Sequence, residues 1–407
     1  MHAVPLFLAA LAGAQPALTF DQALGLADHA PGVEGARSGA AAARELAGQV
    51  SSQTSNPELR IEPGYRLSES PSSVTRFEGT AALSQTWNLA GLSSRRRDAA
   101  SSEADVAAVE ARAAALARRL SAAQAWIDLW AAQQAYTGAL EELRLADDLA
   151  ARSDRAAGQA LLTRADAADA AAYRAEARLL ALSVEGEVTD LGYRLAREAS
   201  VPAAALAASG PLPDVPVPPS GDWPQAVERA AALPEARARR LAAHADAARA
   251  AEARAARGTA LTLGAALQRD NLAEYVGFAQ VGVTLPLFDR GEREAALSEA
   301  AAARARGEAD DLARAAGAEL ARAFHEVEHT GEVLHELEAG FLPASLEAAR
   351  LREVAFRAGD ATVLEVLVAR RSAAAARARL SRAQAAHAWA RVKVWLQLAE
   401  MERGDAS

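Results

Sequence analysis

The chain has 407 residues, of which 51% are hydrophobic but only 5% aromatic, so it can bury a large core and much of its apolar content is alanine. Alanine is the strongest helix former and lets helix backbones approach closely, so this composition predicts long, tightly packed helices. A net charge of −9 argues against nucleic-acid binding, and the absence of cysteine excludes disulfides, thiolate metal sites and a lipid-modified N-terminal cysteine.

Residues 1–14 are predicted to form a secretory signal peptide. An apolar stretch covers 4–12, and Ala12-Gly13-Ala14 fits the small residues of a cleavage site. His2 stands where Lys or Arg is usual, which leaves open a misassigned start codon or a cytoplasmic protein with an apolar N-terminus. No later segment has 18 consecutive apolar residues, so the sequence predicts no transmembrane helix, and a membrane location would require a closed barrel of strands.

The rest of the chain is predicted to be an internal two-fold repeat. The repeats cover 15–200 and 223–401, separated by a proline-rich connector at 201–222 and followed by a tail at 402–407. Matching segments recur at offsets of 200 to 203 residues: 20–24 with 223–227, Pro31 with Pro234, 87–91 with 287–291, and Gly158 with Gly359. The connector is too rich in proline to be helical and is predicted to be extended.

Each repeat is predicted to contain a short helix, two strands and a long helical hairpin, in that order. The short helices cover about 20–49 and 223–257, and the strands about 59–67, 77–87, 259–268 and 275–285. Apolar residues alternate with polar or small ones along the strands, so that Phe77 and Leu83 share one face and Thr80 lies on the other. This period of two is typical of transmembrane barrel strands, although any half-buried hairpin shows it too. Trp87, at a strand end, is a candidate for an interfacial aromatic girdle.

The long helices are predicted from stretches that lack helix breakers. No proline occurs between Gly91 and Gly158, and Pro343 alone interrupts the stretch from Gly291 to Gly359. At 1.5 Å per residue each helix would be roughly 100 Å long. Helices of globular proteins are far shorter, so these need a coiled-coil partner or a tubular assembly.

The strand number predicts an assembly. Four strands per chain cannot close a barrel, because the smallest bacterial barrels have about eight, and open edges are not tolerated in lipid. Three chains of four strands would supply 12, although the sequence alone does not fix the number three. We therefore predict a mainly α fold with a small β part, in which long antiparallel helical hairpins form an α-barrel and four strands per chain contribute to a shared 12-stranded β-barrel.

The segment after the last strand resembles a signature of the TolC-type outer-membrane efflux family. Its sequence at 281–293 is VGVTLPLFDRGER, in which the barrel-to-helix turn contains Pro286, Phe288 and Gly291. In that family the last strand ends in a proline–apolar–phenylalanine turn before the long helix. Pro343 and the overall character of the sequence look most like those of the heavy-metal-efflux branch of the family.

Three further segments resemble the same family. The sequence FRAGDATVLEVLVARR at 356–371 resembles the tip of the second helical hairpin, and AGQALLTR at 157–164 is a weaker version in the first repeat. The opening LTFDQA at 18–23 is similar to the start of the family's sequences. The resemblance covers nearly the whole mature chain, and the order of the segments is the same.

The resemblance implies a function and partners. The chain would be one subunit of a homotrimeric outer-membrane channel, the exit duct of a tripartite efflux system for small substrates such as metal ions or drugs. Its partners would be a periplasmic adaptor (membrane-fusion) protein, an inner-membrane pump of the RND type and outer-membrane lipid. It would lie in the outer membrane of a Gram-negative bacterium and extend into the periplasm. No enzymatic activity, cofactor or metal is expected.

The resemblance also implies roles for individual residues. The residues expected to contact the adaptor lie at the hairpin tips: Gly158, Thr163, Gly359 and Asp360. Glu365 occupies the first carboxylate position of the family's closed entrance, whereas Val368 stands where a second acid is common. Three copies of Glu365 would favour cations, Arg164 at the matching position of the first repeat could neutralise them, and a solvated surface glutamate is the alternative.

Two other functions remain open. The sequence HEVEH at 325–329 matches a zinc-protease motif in which His325 and His329 share a helix face and Glu326 is the base. A third histidine, His335, would lie roughly 80° off that face on a continuous helix, and Glu332 stands where the longer motif has glycine. Two other interpretations of the histidine pair are adventitious metal binding and an ordinary solvated helix surface. The other alternative is a periplasmic coiled-coil scaffold or adaptor without a barrel, which has no need of the paired strands.

Overall fold

The structure is a computed structural model that describes residues 16–51, 55–65, 77–202, 204–269 and 274–405. The predicted signal peptide lies outside the described residues. So do positions 66 and 67 of the first predicted strand and the last two residues of the predicted tail.

The described residues form a mainly helical structure with short antiparallel strands, which confirms the predicted fold class. The helices are α1 (Phe20–Asp28), α2 (Pro31–Gly48), α3 (Leu92–Gly158), α4 (Arg164–Glu198), α5 (Trp223–Glu228), α6 (Pro234–Ala256), α7 (Glu292–Glu336), α8 (Leu342–Ala358) and α9 (Val363–Asp405). The strands are β1 (Ala17–Leu18), β2 (Glu58–Tyr65), β3 (Phe77–Asn88), β4 (Ala207–Ala208), β5 (Ala260–Arg269) and β6 (Tyr275–Thr284). The trimer and the two-fold repeat stay predictions.

The two short helices predicted as single elements are each divided at a proline. Pro31 opens α2 after α1 has ended, and Pro234 opens α6 after α5 and a 3₁₀ turn at Arg229–Ala232. Proline has no N–H to donate and disfavours helical geometry in the residue before it, so it is tolerated only in the first turn of a helix. Each proline therefore ends one helix and begins another.

The long helices differ between the two hairpins. The first, α3, runs for 67 residues without a break, as predicted. The second is interrupted by a π-helical turn at Leu337–Phe341, and α8 begins directly after it with Pro343 in its first turn. A proline ring clashes with the carbonyl four residues earlier, and a π turn widens the helix at such a point. Pro343 thus marks a local change of helix type.

One sheet contains the four long strands, in the order β2-β3-β5-β6 with every pair antiparallel. The central pair, β3 with β5, joins segments far apart in the sequence, such as Trp87 with Leu261. Within the described part of the connector, the regular elements are β4, which pairs in parallel with β1, and a 3₁₀ turn at Ser220–Asp222.

The chain forms two compact units, and each takes segments from both predicted repeats. One unit contains the chain up to Gly35, Arg112–Leu233 and the chain from Arg314 onward, and the other contains Ala36–Ala111 and Pro234–Ala313. The predicted repeat boundaries are therefore not the boundaries of compact units, and the repeats remain a prediction.

The core of the first unit is centred on buried aromatic side chains. The indole of Trp126 is fully buried, packs edge-on against Phe20 and donates a hydrogen bond of 2.8 Å to the carbonyl oxygen of Leu18. A second cluster stacks Trp223 on Phe324, with ring centroids 4.7 Å apart. These contacts fix α1, α3, α5 and α7 within that unit.

Among the described residues, no helix combines the length and the apolar character needed to cross a membrane.

Candidate functional site

The four-stranded sheet places most of its large apolar side chains on one side. Directly paired residues of antiparallel strands project to the same side, so the register assigns every residue of the sheet to one of two faces. The face that we name the apolar face holds Leu59, Ile61, Tyr65, Phe77, Leu83, Trp87, Leu261, Leu263, Leu267, Tyr275, Val281 and Val283. All of these except Leu261 are exposed in the single chain. Gln85 and Arg269 are the polar exceptions on this face.

The opposite side, which we name the polar face, carries mainly charged, hydroxyl and amide groups. Its polar members are Glu58, Arg60, Glu62, Glu78, Thr80, Ser84, Thr86, Asn88, Thr262, Gln268, Gln280 and Thr284. The hydroxyls of Thr86 and Thr262 are 2.8 Å apart and share a hydrogen bond across the central strand pair. Val276 and Phe278 are apolar exceptions on this face. A sheet with such unlike faces suits an apolar medium on one side and water on the other.

Aromatic residues stand at both ends of the apolar face. Tyr65 pairs with Phe77 at one end, where Tyr275 begins β6, and Trp87 lies near the other end. The ten residue-to-residue steps from Phe77 to Trp87 span about 34 Å along the strand, or about 26 Å across a bilayer at a tilt of about 40°. Transmembrane barrels have an apolar band about 25 Å tall between two aromatic girdles. The expected place of Trp87 at a strand end is therefore matched by the geometry.

The outer strands of the sheet leave both of its edges open in the single chain. All ten residues of β6 are exposed, and β2 is exposed over most of its length. Pro63, inside β2, has no N–H for a ladder, and proline is found in sheets chiefly on edge strands. Open edges of this length are a template for pairing with another chain.

The turn after β6 contains the three residues singled out from the sequence. Pro286 and Phe288 follow the strand, and the Phe288 side chain is 97% exposed. Gly291 precedes α7 with φ of 75°, and a Cβ there would lie 2.4 Å from the carbonyl oxygen of Ala253, so only glycine fits. Gly91 precedes α3 with nearly the same φ, 74°.

The tip of the first hairpin connects α3 to α4. Gly158 ends α3, but the left-handed residue that reverses the chain is Ala160, with φ of 56°, so the sequence placed the turn two residues early. Thr163 caps α4: its hydroxyl accepts a hydrogen bond of 3.1 Å from the Asp166 backbone N–H. The Asp166 carboxylate in turn accepts one of 3.1 Å from the Thr163 N–H. This reciprocal pair is a capping box.

The tip of the second hairpin turns at its glycine, as predicted. Gly359 has φ of 87°, and the backbone N–H of Asp360 donates to the carbonyl oxygen of Ala355 at 2.9 Å. Thr362 then caps α9, because its hydroxyl accepts from the Glu365 N–H at 3.3 Å while Glu365 Oε2 accepts from the Thr362 N–H at 2.8 Å. The glycine and the capping box together fix the angle between α8 and α9.

Glu365 is thus a structural residue of the tip as well as an acidic one. Its carboxylate also lies 3.0 Å from Arg352 Nη1 of α8. The backbone N–H and hydroxyl of Thr362, with the charge of Arg352, hold the pKa of Glu365 below its usual value. The carboxylate therefore stays ionised at neutral pH, but one of its oxygens faces a positive charge.

The residue that corresponds to Glu365 in the first hairpin is Asp166, not Arg164. Both acids are the third residue after a capping threonine, whereas Arg164 is the first residue of α4 and corresponds to Val363. Counting from the glycines gave the wrong match because the first tip has two more residues between its glycine and its threonine. The pattern of threonine followed three residues later by an acid is present in both tips and would have shown the correct match.

A buried polar cluster lies behind the tips. Tyr173 of α4 donates a hydrogen bond to the buried carboxylate of Glu142 of α3, and burial with this bond raises the pKa of Tyr173. Arg370 of α9 is 7% exposed and lies 3.1 Å from Glu353 of α8. Sequence patterns missed this cluster because its partners lie 17 or more residues apart.

The HEVEH segment lies within α7, with His325, Glu328 and His329 exposed and Val327 packed against the cluster of Phe324. The rings of His325 and His329 are stacked with centroids 6.0 Å apart, whereas Glu326 is ion-paired with Arg322. Across the described ranges, no group of three or more His, Asp or Glu side chains is arranged to hold a metal ion. The zinc-protease alternative therefore has no third ligand there, and its base is already engaged.

Comparison with known proteins places this architecture among membrane channels. No protein-family model matches the chain, and no curated protein sequence matches it. Among solved structures, the outer-membrane channel OprN matches with a TM-score of 0.77 and 18% identity, covering 93% of this chain and 89% of that chain. The outer membrane protein VceC of Vibrio cholerae matches with a TM-score of 0.71 and 18% identity, covering 94% and 95%. The open state of the Neisseria gonorrhoeae MtrE outer membrane channel matches with a TM-score of 0.70 and 19% identity, covering 93% and 88%. The chain has the fold of the TolC-type outer-membrane channels.

Proposed function

We propose that this chain is one subunit of a homotrimeric outer-membrane channel, the passive exit duct of a tripartite efflux system for small substrates such as metal ions or drugs. The observation that carries the proposal is the apolar face, which is exposed on a sheet that also has two open edges. Soluble monomers rarely expose so large a contiguous apolar surface. Outer-membrane lipid would cover this surface, and neighbouring copies would cover the edges.

The strand directions support closure by identical copies. Three antiparallel pairings separate β2 from β6, so these two strands run in opposite directions. The β6 of one copy can therefore pair with the β2 of the next in the same antiparallel sense as the rest of the sheet. Head-to-tail contacts of this kind close into a ring, and three copies would give 12 strands. The missing N–H of Pro63 would weaken that junction at one position only.

The hairpin tips are the proposed contact with a periplasmic adaptor protein, and through it with an inner-membrane pump of the RND type. Gly158, Thr163, Gly359 and Asp360 are exposed, and both tips are held by capping boxes. Leu161, beside them, is an exposed apolar side chain of the first tip. A rigid loop with an exposed apolar residue suits recognition by another protein.

Glu365 is the proposed source of cation preference at the entrance. Its lowered pKa keeps three negative charges at the mouth of a trimer, where a narrow opening would focus their field. Arg352 lies against each carboxylate and reduces that field. Arg164, exposed at the start of α4, would oppose it further.

The proposal is tested by expression in a Gram-negative host, followed by membrane fractionation and mass measurement in detergent. Amine cross-linkers are unsuitable, because the chain has a single lysine, Lys393, which is 13% exposed and ion-paired with Glu319. We expect the protein in the outer-membrane fraction at three times the subunit mass, with ion conductance in planar bilayers. A soluble monomer or dimer without conductance would instead support the coiled-coil scaffold.

A further inference from the structure

We propose that His325 and His329 form a binding site for a divalent transition-metal ion, in which the protein supplies two imidazole nitrogens and water completes the coordination. Both histidines lie on α7. The proposal goes beyond the channel function and does not depend on it.

The two histidines are unusually available. Both side chains are exposed, and the structure gives neither ring a hydrogen bond or ion pair within the described residues. They are one turn apart, so both project from the same face of the helix. The chain has seven histidines, and three of them lie in the short segment 325–335.

The distance between the rings fits a shared ion. A metal ion about 2.0–2.1 Å from a ring nitrogen lies about 3.2 Å from the ring centroid, so two imidazoles on one ion have centroids about 5.2 Å apart at a tetrahedral angle and about 6.4 Å apart when collinear. The observed separation is 6.0 Å. The rings are stacked at 17°, so binding requires rotation about the side-chain bonds, with no movement of the helix.

The neighbouring charges favour a cation. Glu328 and Glu332 are exposed close to the pair, and Glu332 lies one further turn along the face of His325 and His329. Their carboxylates lower the potential around the imidazoles. Glu326 contributes less, because Arg322 neutralises it.

The donor type selects the ion. Imidazole suits Cu²⁺, Ni²⁺ and Zn²⁺, and affinity for such sites is greatest for Cu²⁺, whereas Mg²⁺ and Ca²⁺ prefer oxygen ligands. With two protein ligands the coordination sphere stays open to water. The site would therefore exchange its ion readily.

The test is Cu²⁺ titration of the full-length, detergent-purified protein without a polyhistidine tag, followed by calorimetry and electron paramagnetic resonance. The variants are His325→Ala and His329→Ala, with His335→Ala as the matched control from the same exposed segment. We expect one ion per chain with two nitrogen ligands in the original protein and in His335→Ala, and at least tenfold weaker binding in each of the other variants. Mg²⁺ should not compete.

Unaltered secondary structure in circular dichroism would show that each variant is folded. Wild-type affinity in either His325→Ala or His329→Ala would overturn the proposal. So would equal weakening by His335→Ala, or the absence of two-nitrogen coordination in the original protein.

Discussion

An arginine on the apolar face should prevent stable assembly, whereas an arginine one residue further along the strand should not. The substitution is Leu83→Arg, and its control is Ser84→Arg on the polar face. Leu83 lies near the middle of the 12-residue strand β3 and its side chain is 56% exposed in the single chain. Successive residues of a strand point to opposite faces, so the two variants place the same charge on opposite sides of the sheet.

The expected effect follows from the depth of Leu83. Arginine on the lipid face of a barrel costs about 2–4 kcal/mol at the bilayer midplane and about 0–1 kcal/mol near the interfaces. Three copies in a trimer would therefore lose about 6–12 kcal/mol with Leu83→Arg. Ser84→Arg would direct its guanidinium into water beside Glu58 and Thr86, at nearly no cost.

The assay is graded heating of outer-membrane extracts before gel electrophoresis, with the temperature at which half of the trimer dissociates as the readout. Because membrane trimers unfold irreversibly, all variants must be heated at one fixed rate. We expect little or no trimer with Leu83→Arg and wild-type behaviour with Ser84→Arg. Equal loss in both variants, or none in either, would refute the assignment of the apolar face to lipid.

Three further predictions concern charges and turns. Glu319 accepts hydrogen bonds from Arg322 and Lys393, which lower its pKa to about 2, so its stabilisation is present above about pH 4.5 and is lost as the pH falls toward 2. Since Glu319 is partly exposed, that loss of stability should be about 1 kcal/mol. It should appear as a pH-dependent melting temperature in circular dichroism, and Glu319→Gln should abolish this pH dependence. Glu365→Ala should lower the cation preference of the channel and Arg352→Ala should raise it, as measured by reversal potentials in planar bilayers. Unchanged selectivity in both variants would exclude Glu365 and Arg352 as determinants of ion selectivity. Gly359→Ala should lower the free energy of unfolding by about 1–2 kcal/mol, because the φ of Gly359 is 87°. Gly158→Ala should be neutral, because the φ of Gly158 is not positive. Equal melting temperatures of the two variants would contradict this.

The elements that the sequence predicted well are those with a local signal. The 67-residue helix α3 lacks proline throughout, and the strands show a clear period of two, so both could be read from neighbouring residues alone. The turn at Gly359 was also predictable, because a left-handed helix end favours glycine. The comparison with solved structures confirms the resulting fold.

Features that depend on distant residues could not be predicted. The apolar face exists because β3 pairs with β5, and no local pattern sets that register. The contact of Arg352 with Glu365 crosses a hairpin, so the sequence suggested a free carboxylate where the structure has a paired one. The correspondence of Asp166 with Glu365 was missed for a different reason: the two tip loops differ in length.

The π turn before Pro343 determines the helical phase of the second hairpin. One extra residue in a turn rotates everything after it by about 100° relative to an uninterrupted α-helix. Arg352 and Glu353, which meet Glu365 and Arg370, lie beyond that turn and depend on this rotation. Removing a single residue from Leu337–Phe341 would turn both side chains away from α9 without altering either of them. The ion pairs between α8 and α9 therefore depend on a segment that contributes no side chain to them.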